Sequence, residues 1–187
     1  MAPALLALSI AIGLLRGGAA EAAPSPCPGA DMPVSRLELD QFDASVFCLI
    51  NQRRAENGRR VLVPNRLLHR AAGDYAFSLL EGHFFSHHGD FRGASTGSTV
   101  IGRLREVGYI RRRGSWSVGE DLHWTTAGTS RPADVVEAWV ESPIHRKYLF
   151  NAKYEELGVG AQRGVPFDAS QFDGITVAAE FGVRQAR

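Results

Sequence analysis

Apolar residues recur at two different spacings along this chain, and the order of these spacings limits the folds open to it. In roughly the first half, and again after Pro132, they recur every three to four residues, as in amphipathic helices. Over Ser115–Trp124, Glu156–Gln162 and Ile175–Val183 they alternate, which predicts three strands. The turn-rich link at 164–174 is too short for a helical crossover, so we expect the last two strands to pair antiparallel. The pattern predicts an α+β layer fold, with helices packed on a small sheet.

Capping signals predict four helices. Short polar side chains that accept hydrogen bonds from free backbone N–H groups favour helix starts, whereas Gly or Asn favours helix ends. The first helix is predicted to end at Asn57-Gly58, the second at Gly82 and the third at Gly108. The predicted starts are Asp40 or Asp43, Asn65, Thr99 and Ser130.

The first residues have the pattern of an export signal. The apolar run Leu5–Leu15 ends at Arg16 and is followed by small residues and a cleavage-like Ala20-Glu21-Ala22. A membrane anchor is the alternative, but it needs about 20 apolar residues, more than this run contains. We therefore expect a secreted protein without a stable membrane anchor. The predicted division is a signal peptide at 1–23, an N-terminal arm at 24–36 and one folded domain at 37–187.

Two cysteines, Cys27 and Cys48, are the only ones in the sequence. An even count in a chain with an export signal indicates that they pair. Such a bridge would tie the N-terminal arm to the first helix and would leave no free thiol for nucleophilic catalysis.

Charge and motifs exclude several classes of function. The formal net charge is +1, and removing the leader with Arg16 and Glu21 leaves it unchanged, so nothing steers the protein toward nucleic acid or an anionic membrane. The one basic run, Arg111–Arg113, is interpreted as a solvated loop. The sequence contains no H-E-x-x-H, no P-loop and no G-x-G-x-x-G after a strand, so a metallopeptidase helix, a phosphate cradle or a dinucleotide site has no support.

Histidines concentrate at two places in the sequence. His83, His87 and His88 follow the second helix, and His145 follows the fourth. His83 and His87 are four residues apart, which on a helix would present two imidazoles on one face, as in metal sites. Gly82 argues against a helix that continues through this pair.

Glu120 occupies an unusual position in the first predicted strand, Ser115–Trp124. Alternation points its side chain to the same side as Val118 and Leu122. A carboxylate on an apolar face is costly unless it is paired, and a histidine partner would offset that cost.

Four short motifs follow one another along the chain. They are Phe84-Phe85-Ser86-His87, Gly119-Glu120-Asp121-Leu122, Ala138-Trp139-Val140-Glu141-Ser142-Pro143-Ile144-His145-Arg146 and Leu157-Gly158-Val159-Gly160. In order and spacing they resemble the CAP domains (cysteine-rich secretory, antigen 5 and pathogenesis-related 1 proteins) of bacterial secreted proteins. The resemblance runs from about Ala44 to Gly182, and the cysteine pair is similar to a subset of this family.

The resemblance implies a three-layer α-β-α sandwich with a small, mainly antiparallel central sheet. It also implies a cleft formed by His87, Glu120 and His145. In several family members the cleft holds a divalent metal such as zinc, so His87 and His145 are the implied ligands, with Glu120 orienting a water or an imidazole N–H. The sequence departs from the family at Ser142, where animal and plant members have a second glutamate, and at Asp121, where the usual residue is asparagine. Asp121 could supply a carboxylate near the cleft, but we expect it to face solvent.

Three functions remain open from the sequence. The favoured one is a non-enzymatic, monomeric extracellular module that binds a small ligand, a lipid or a partner protein, and it predicts a groove with apolar walls beside the cleft. A metal-assisted hydrolase would use His87 and His145 to hold a metal and Glu120 as general base. An interaction scaffold would have both histidines buried and saturated by hydrogen bonds.

Overall fold

The computed structural model describes residues 27–89, 99–126, 130–167 and 173–185. The predicted signal peptide lies outside these residues. Within them, no helix combines the length and the apolar character needed to cross a bilayer. The helices are α1 (Leu39–Glu56), α2 (Arg66–Glu81), α3 (Val100–Glu106), α4 (Pro132–Glu141) and α5 (Pro143–Leu149), with a 3-10 turn at Val34–Arg36. The strands are β1 (Val63–Pro64), β2 (Ser115–Thr125), β3 (Glu156–Arg163) and β4 (Ile175–Gln185).

The four strands form one mixed sheet in the order β1-β3-β4-β2. The short β1 runs parallel to β3, and the other two pairs are antiparallel. The antiparallel pairing of the last two strands is therefore confirmed. In this register Glu180 of β4 lies opposite Glu120 of β2 on one side and Gly158 of β3 on the other.

Helices cover both faces of this sheet. Odd-numbered residues of β4, such as Val177 and Phe181, are buried together with α1 and α4 side chains, including Trp139. The even-numbered Ala178 is buried on the opposite face with Tyr75 of α2. This is the expected α-β-α sandwich, and its middle layer has little contact with solvent.

Glycines allow α2 to lie directly on β3. A Cβ atom at Gly158 would overlap the backbone of His69, and one at Gly160 would overlap the backbone of Gly73. Any larger residue at these positions would push the helix off the sheet. The close approach fixes α2, which carries part of the candidate site.

A disulfide joins Cys27 to Cys48 of α1, as predicted. Val34 is buried in the core, and its backbone N–H donates to the carbonyl of Ser130 at 2.8 Å. In the chain-entropy model, closing a loop of this size stabilises a fold by roughly 3 kcal/mol. The bridge and these contacts hold residues 27–36 against the domain.

Two predicted helix starts differ from the structure. Glu38 precedes α1, with its N–H donating to Gln41, so neither Asp40 nor Asp43 is the cap. Arg131 takes the place expected for Ser130 at α4, and its N–H donates to the Asp134 carboxylate. In both cases a side chain three residues into the helix accepts from the N-cap backbone. The predictions for α2 and α3 are confirmed, with caps at Asn65 and Thr99.

Candidate functional site

The candidate site is built around Glu120 in the middle of β2. Its side chain is only 1% exposed, and both of its oxygens are paired. Oε1 lies 2.7 Å from Nδ1 of His87, which donates to it, and Oε2 accepts from the guanidinium of Arg103. The expected pairing of this carboxylate with a histidine is confirmed, and an arginine joins it.

Arg103 links the helical layer to this strand. It comes from α3, and its guanidinium carbon lies 3.3 Å from the centroid of the Tyr75 ring, a close cation–π contact. It also donates to the backbone carbonyl of His87 at 3.3 Å. A single buried cation thus neutralises Glu120 and holds the residue that carries the imidazole.

Tyr75 of α2 fixes the loop that contains His87. Its hydroxyl donates to the carbonyl of Ser86 and accepts from the N–H of Gly89 at 3.2 Å. His87 itself lies between these two contacts. The loop is therefore positioned by a tyrosine in a rigid helix.

Glu180 is a second carboxyl group in the same place. It is fully buried opposite Glu120, with an oxygen 3.9 Å from the Arg103 guanidinium. Burial, and then the charge of Glu120, raises the pKa of Glu180 well above its ordinary value. The raised pKa favours the protonated form of Glu180, while Glu120 makes the direct contacts with Arg103 and His87.

His145 approaches the site from the other side of β2, on α5. It is half-buried, and within the described residues its Nδ1 has no hydrogen-bond partner. Burial, and then the nearby His87, lowers the pKa of His145. Burial, and then His145, likewise lowers the pKa of His123. The structure therefore brings His87 and His145 near each other and adds His123, which the sequence analysis missed.

A cavity of about 430 Å³ opens beside His87. The His87 side chain is 42% exposed in it, whereas the Glu120 side chain forms part of its buried wall. Of the described residues, His145 does not line this cavity. The apolar part of the wall consists of Val100, Ile101, Trp116, Val118 and Tyr148.

The expectation that Asp121 faces solvent is wrong. The residue is completely buried, and its two carboxylate oxygens have no hydrogen-bond partner within the described residues. Burial, and then the charge of Glu120, raises the pKa of Asp121 well above its ordinary value. The reason is the three-layer arrangement, which buries both faces of β2 at its centre.

His83 does not join the site. Helix α2 ends at Glu81, and His83 is exposed with a positive φ of 52°. The four-residue spacing to His87 therefore does not place both imidazoles on one helix face.

A metal fits this site only in part. Glu120 holds Nδ1 of His87, the arrangement that commonly orients a metal-binding imidazole through its other nitrogen. A lowered pKa keeps His145 in the neutral form that a metal requires. However, in the parts of the chain that the structure describes, no group of three or more His, Cys, Asp or Glu side chains could hold a metal. His87 and His145 would need water or a bound ligand to complete the coordination.

Arg103 and Glu180, like His123, are site residues that the sequence analysis missed. Glu180 interrupts the apolar run of β4, and this was a usable signal, since a carboxyl group there must be neutral or paired. Arg103 gave no comparable signal, because one arginine in a short helix usually faces solvent.

Comparison with known proteins agrees with this architecture. A family model described as the cysteine-rich secretory protein family, CAP, matches residues 47–169. The protein YkwD of Bacillus subtilis is 23% identical over 136 residues, which cover 73% of this chain and 48% of YkwD. The chain thus spans about half the length of this relative.

Solved structures share the fold at low sequence identity. An outer surface protein of Borrelia burgdorferi is 20% identical, with a TM-score of 0.62 over 80% of this chain and 97% of that one. An extracellular Bacillus anthracis protein containing an SCP domain is also 20% identical, with a TM-score of 0.59 over 80% of this chain and 44% of that one. Together with the family match over most of its length, these similarities show that the chain belongs to the cysteine-rich secretory protein (CAP) family.

Proposed function

We propose that this protein is a secreted, non-enzymatic binding module that holds a ligand in the cavity between His87, β2 and Tyr148. The cavity volume is in the range usual for small-molecule sites, and its wall combines apolar side chains with the polar side chains of His87, His88, Ser117 and Glu120. The disulfide and the extracellular Bacillus anthracis relative support an extracellular location.

The observation that carries this proposal is the pairing of Glu120. A general base must have an oxygen that the water it activates can reach, and pairing with a cation lowers its basicity. Here one oxygen accepts from His87 and the other from Arg103, and the side chain is almost fully buried. Glu120 thus positions an imidazole, which weighs against the hydrolase alternative.

The exposure of His87 weighs against a purely structural cleft. A scaffold would bury both histidines and saturate their nitrogens. Instead, the His87 ring is 42% exposed in an open cavity, with only Nδ1 held by Glu120. Among the residues that the structure describes, Nε2 of His87 has no hydrogen-bond partner, so it is available for a ligand or a cation.

In this proposal, His87 and His145 hold a divalent cation such as zinc together with the ligand. A bound cation would supply a positive charge for an anionic group. Glu120 would keep the imidazole of His87 in the orientation that such binding needs.

Zinc titration by calorimetry tests the metal part of the proposal. We expect micromolar binding to the mature protein and its loss in His87→Ala and in His145→Ala. His83→Ala is the matched control, because it removes an exposed imidazole outside the site and should bind as the wild type does. Equal binding to all four proteins would show that the cleft does not hold the metal.

A peptide-cleavage assay tests the non-enzymatic part. The zinc-loaded protein is incubated with a random peptide mixture, and the products are followed by mass spectrometry. We expect no cleavage above that of His87→Ala. Cleavage by the wild type that is absent from His87→Ala would establish a hydrolase and overturn the proposal.

A further inference from the structure

Within the residues that the structure describes, the outer edge of β2 has no neighbouring strand. In the order β1-β3-β4-β2, this 11-residue strand pairs with β4 alone among the described strands. Long edge strands present unpaired N–H and C=O groups that can pair with another extended chain. The question is which residues of β2 present these groups.

Hydrogen bonds of neighbouring elements answer this. The carbonyl of Gly182 accepts from the N–H of Glu155. The backbone N–H and C=O groups of even-numbered β4 residues therefore point toward β3, and those of odd-numbered residues point toward β2. In an antiparallel pair the odd residues of β4 then bond to their partners on β2, which are also odd. The backbone N–H and C=O groups of even-numbered β2 residues must therefore point away from the sheet. Leu122 agrees, because its carbonyl accepts from the indole N–H of Trp139 at 3.1 Å.

Near the cleft, the residues whose backbone groups point outward are Trp116, Val118 and Glu120. Their N–H and C=O groups recur about every 6.6–6.8 Å, the repeat of an extended partner. In the described residues, no turn, loop or side chain bonds to the backbone of Trp116 or Val118. Both residues are partly exposed.

The 430 Å³ cavity follows this edge. Five consecutive residues, Trp116 to Glu120, line it. Since side chains of a strand alternate between its two faces, a cavity that touches all five runs along the edge of the strand. One end of this groove lies at His87, and the other lies at Trp116.

The Trp116 end carries an excess of positive charge. Trp116 also lines two further cavities, one with Arg111 and Arg113 and the other with Lys153. Arg111 and Arg113 are exposed, as the solvated loop predicted from the sequence requires. Among the described residues, no ion pair joins these three cations to an acidic side chain. A partner with carboxylates at this end would be electrostatically complementary.

We propose that the cleft binds an extended acidic peptide, which adds to the edge of β2 as a fifth strand. Backbone hydrogen bonds to Trp116 and Val118 give the register, and the arginines favour carboxylates. The inference rests on the proposed function as a binding module and names its ligand class. It does not require the metal.

Peptide display provides the probe. A random dodecamer library is selected against the mature protein, and an enriched peptide is resynthesised with a fluorescent label. We expect enrichment of aspartate and glutamate among β-branched residues, and binding measurable by anisotropy. Two methylated peptides are compared, one with its odd-numbered backbone nitrogens methylated and one with its even-numbered nitrogens methylated. Only one of these sets points toward β2, so methylation should weaken binding about tenfold in one peptide and leave it unchanged in the other.

Val118→Pro removes the outward N–H of the edge, and Val118→Ala is its matched control with that N–H retained. We expect about tenfold weaker binding to the proline variant than to the alanine variant, because both lack the valine side chain and only the alanine variant keeps the N–H. Near-ultraviolet circular dichroism shows whether each variant is folded. If Val118→Pro is unfolded, the peptide methylation series decides alone.

Three results would overturn the inference: enriched peptides without acidic bias, binding that does not differ between the two methylated peptides, or a concentration-dependent dimer that buries β2. None of these results would change the zinc binding measured for the wild type and for the His87 and His145 variants. The failure of the peptide inference is therefore distinguishable from the failure of the proposed function.

Discussion

Glu120 and Glu180 lie opposite each other on adjacent strands, and the guanidinium of Arg103 lies within 4.0 Å of both carboxyl groups. Two buried carboxyl groups and one buried cation cannot all be charged without a large desolvation cost. The raised pKa of Glu180 favours its protonated form, which lowers the negative charge that Arg103 must balance. This balance makes Arg103 the residue on which the site depends.

Replacing Arg103 by methionine should destabilise the protein strongly. Glu120 would remain buried without its cation, and loss of one partner of a buried pair costs about 3–5 kcal/mol. Urea unfolding measures the effect. Arg53→Met is the matched control, because its ion pair with Glu137 is about 40% exposed and should contribute less than about 1 kcal/mol. Similar losses in both variants would contradict a buried ion pair.

The stability of the protein should depend on the titration of Asp43. This α1 carboxyl group lies under a separate cavity between α1 and α2, and burial, followed by the charge of Asp40, raises its pKa from 3.8 to about 8. Between these values the folded state holds a proton that the unfolded state has released. The contribution of Asp43 to the free energy of unfolding is therefore fully present below pH 3.8 and is lost as the pH rises to about 8.

Asp43→Asn cannot titrate, so its free energy of unfolding should fall less steeply over this range. Urea unfolding from about pH 4 to about pH 8 measures the slope. Asp74→Asn, which removes an exposed carboxylate, should keep the wild-type slope. Equal slopes for Asp43→Asn and the wild type would rule out the raised pKa.

Gly158→Ala should lower the thermal midpoint. The new methyl group would overlap the α2 backbone at Leu68 and His69, and overpacking of this kind costs about 1–3 kcal/mol. Gly73→Ala provides the contrast, because its Cβ would meet open space within α2 and should add about 0.5–1 kcal/mol of helix stability. Calorimetric unfolding compares the two. A stable Gly158→Ala would mean that α2 does not lie directly on β3.

Proline substitutions should show which residues of β2 point their backbone N–H groups toward β4. The N–H of Ser117 points to β4, whereas the N–H of Val118 points outward. Ser117→Pro should therefore lose about 1–3 kcal/mol more than Val118→Pro, each measured against its own alanine variant. Chemical unfolding gives the four values. The opposite order would invert the assignment of the edge.

Local signals explain which parts of the fold the sequence predicted. The cap at Asn65 and the helical spacing that follows it define α2, and alternation defines β2, β3 and β4. A strand of two residues such as β1 has no period to detect. Pro143 lies just after the end of α4 and is also the first residue of α5. Because a proline can follow one helix and begin another, the sequence analysis did not predict α5 as a separate helix.

The candidate site was predicted where a motif carries it and missed where only packing does. His87, Glu120 and His145 belong to short family motifs. The role of Glu180 depends on a strand register between residues that lie 60 positions apart, and that of Arg103 depends on how α3 packs. Asp121 was predicted wrongly because a second helical layer covers the face that alternation alone would leave to solvent.

Three side chains from outside the His87 loop hold it in place: the hydroxyl of Tyr75, the guanidinium of Arg103 and the carboxylate of Glu120. The imidazole therefore owes its position to α2, α3 and β2, three separate elements of the fold. The orientation of one histidine at the surface is thus tied to the packing of a helical layer on the sheet. A substitution of the buried Tyr75 or Arg103 would alter the cleft as surely as a substitution of His87 itself.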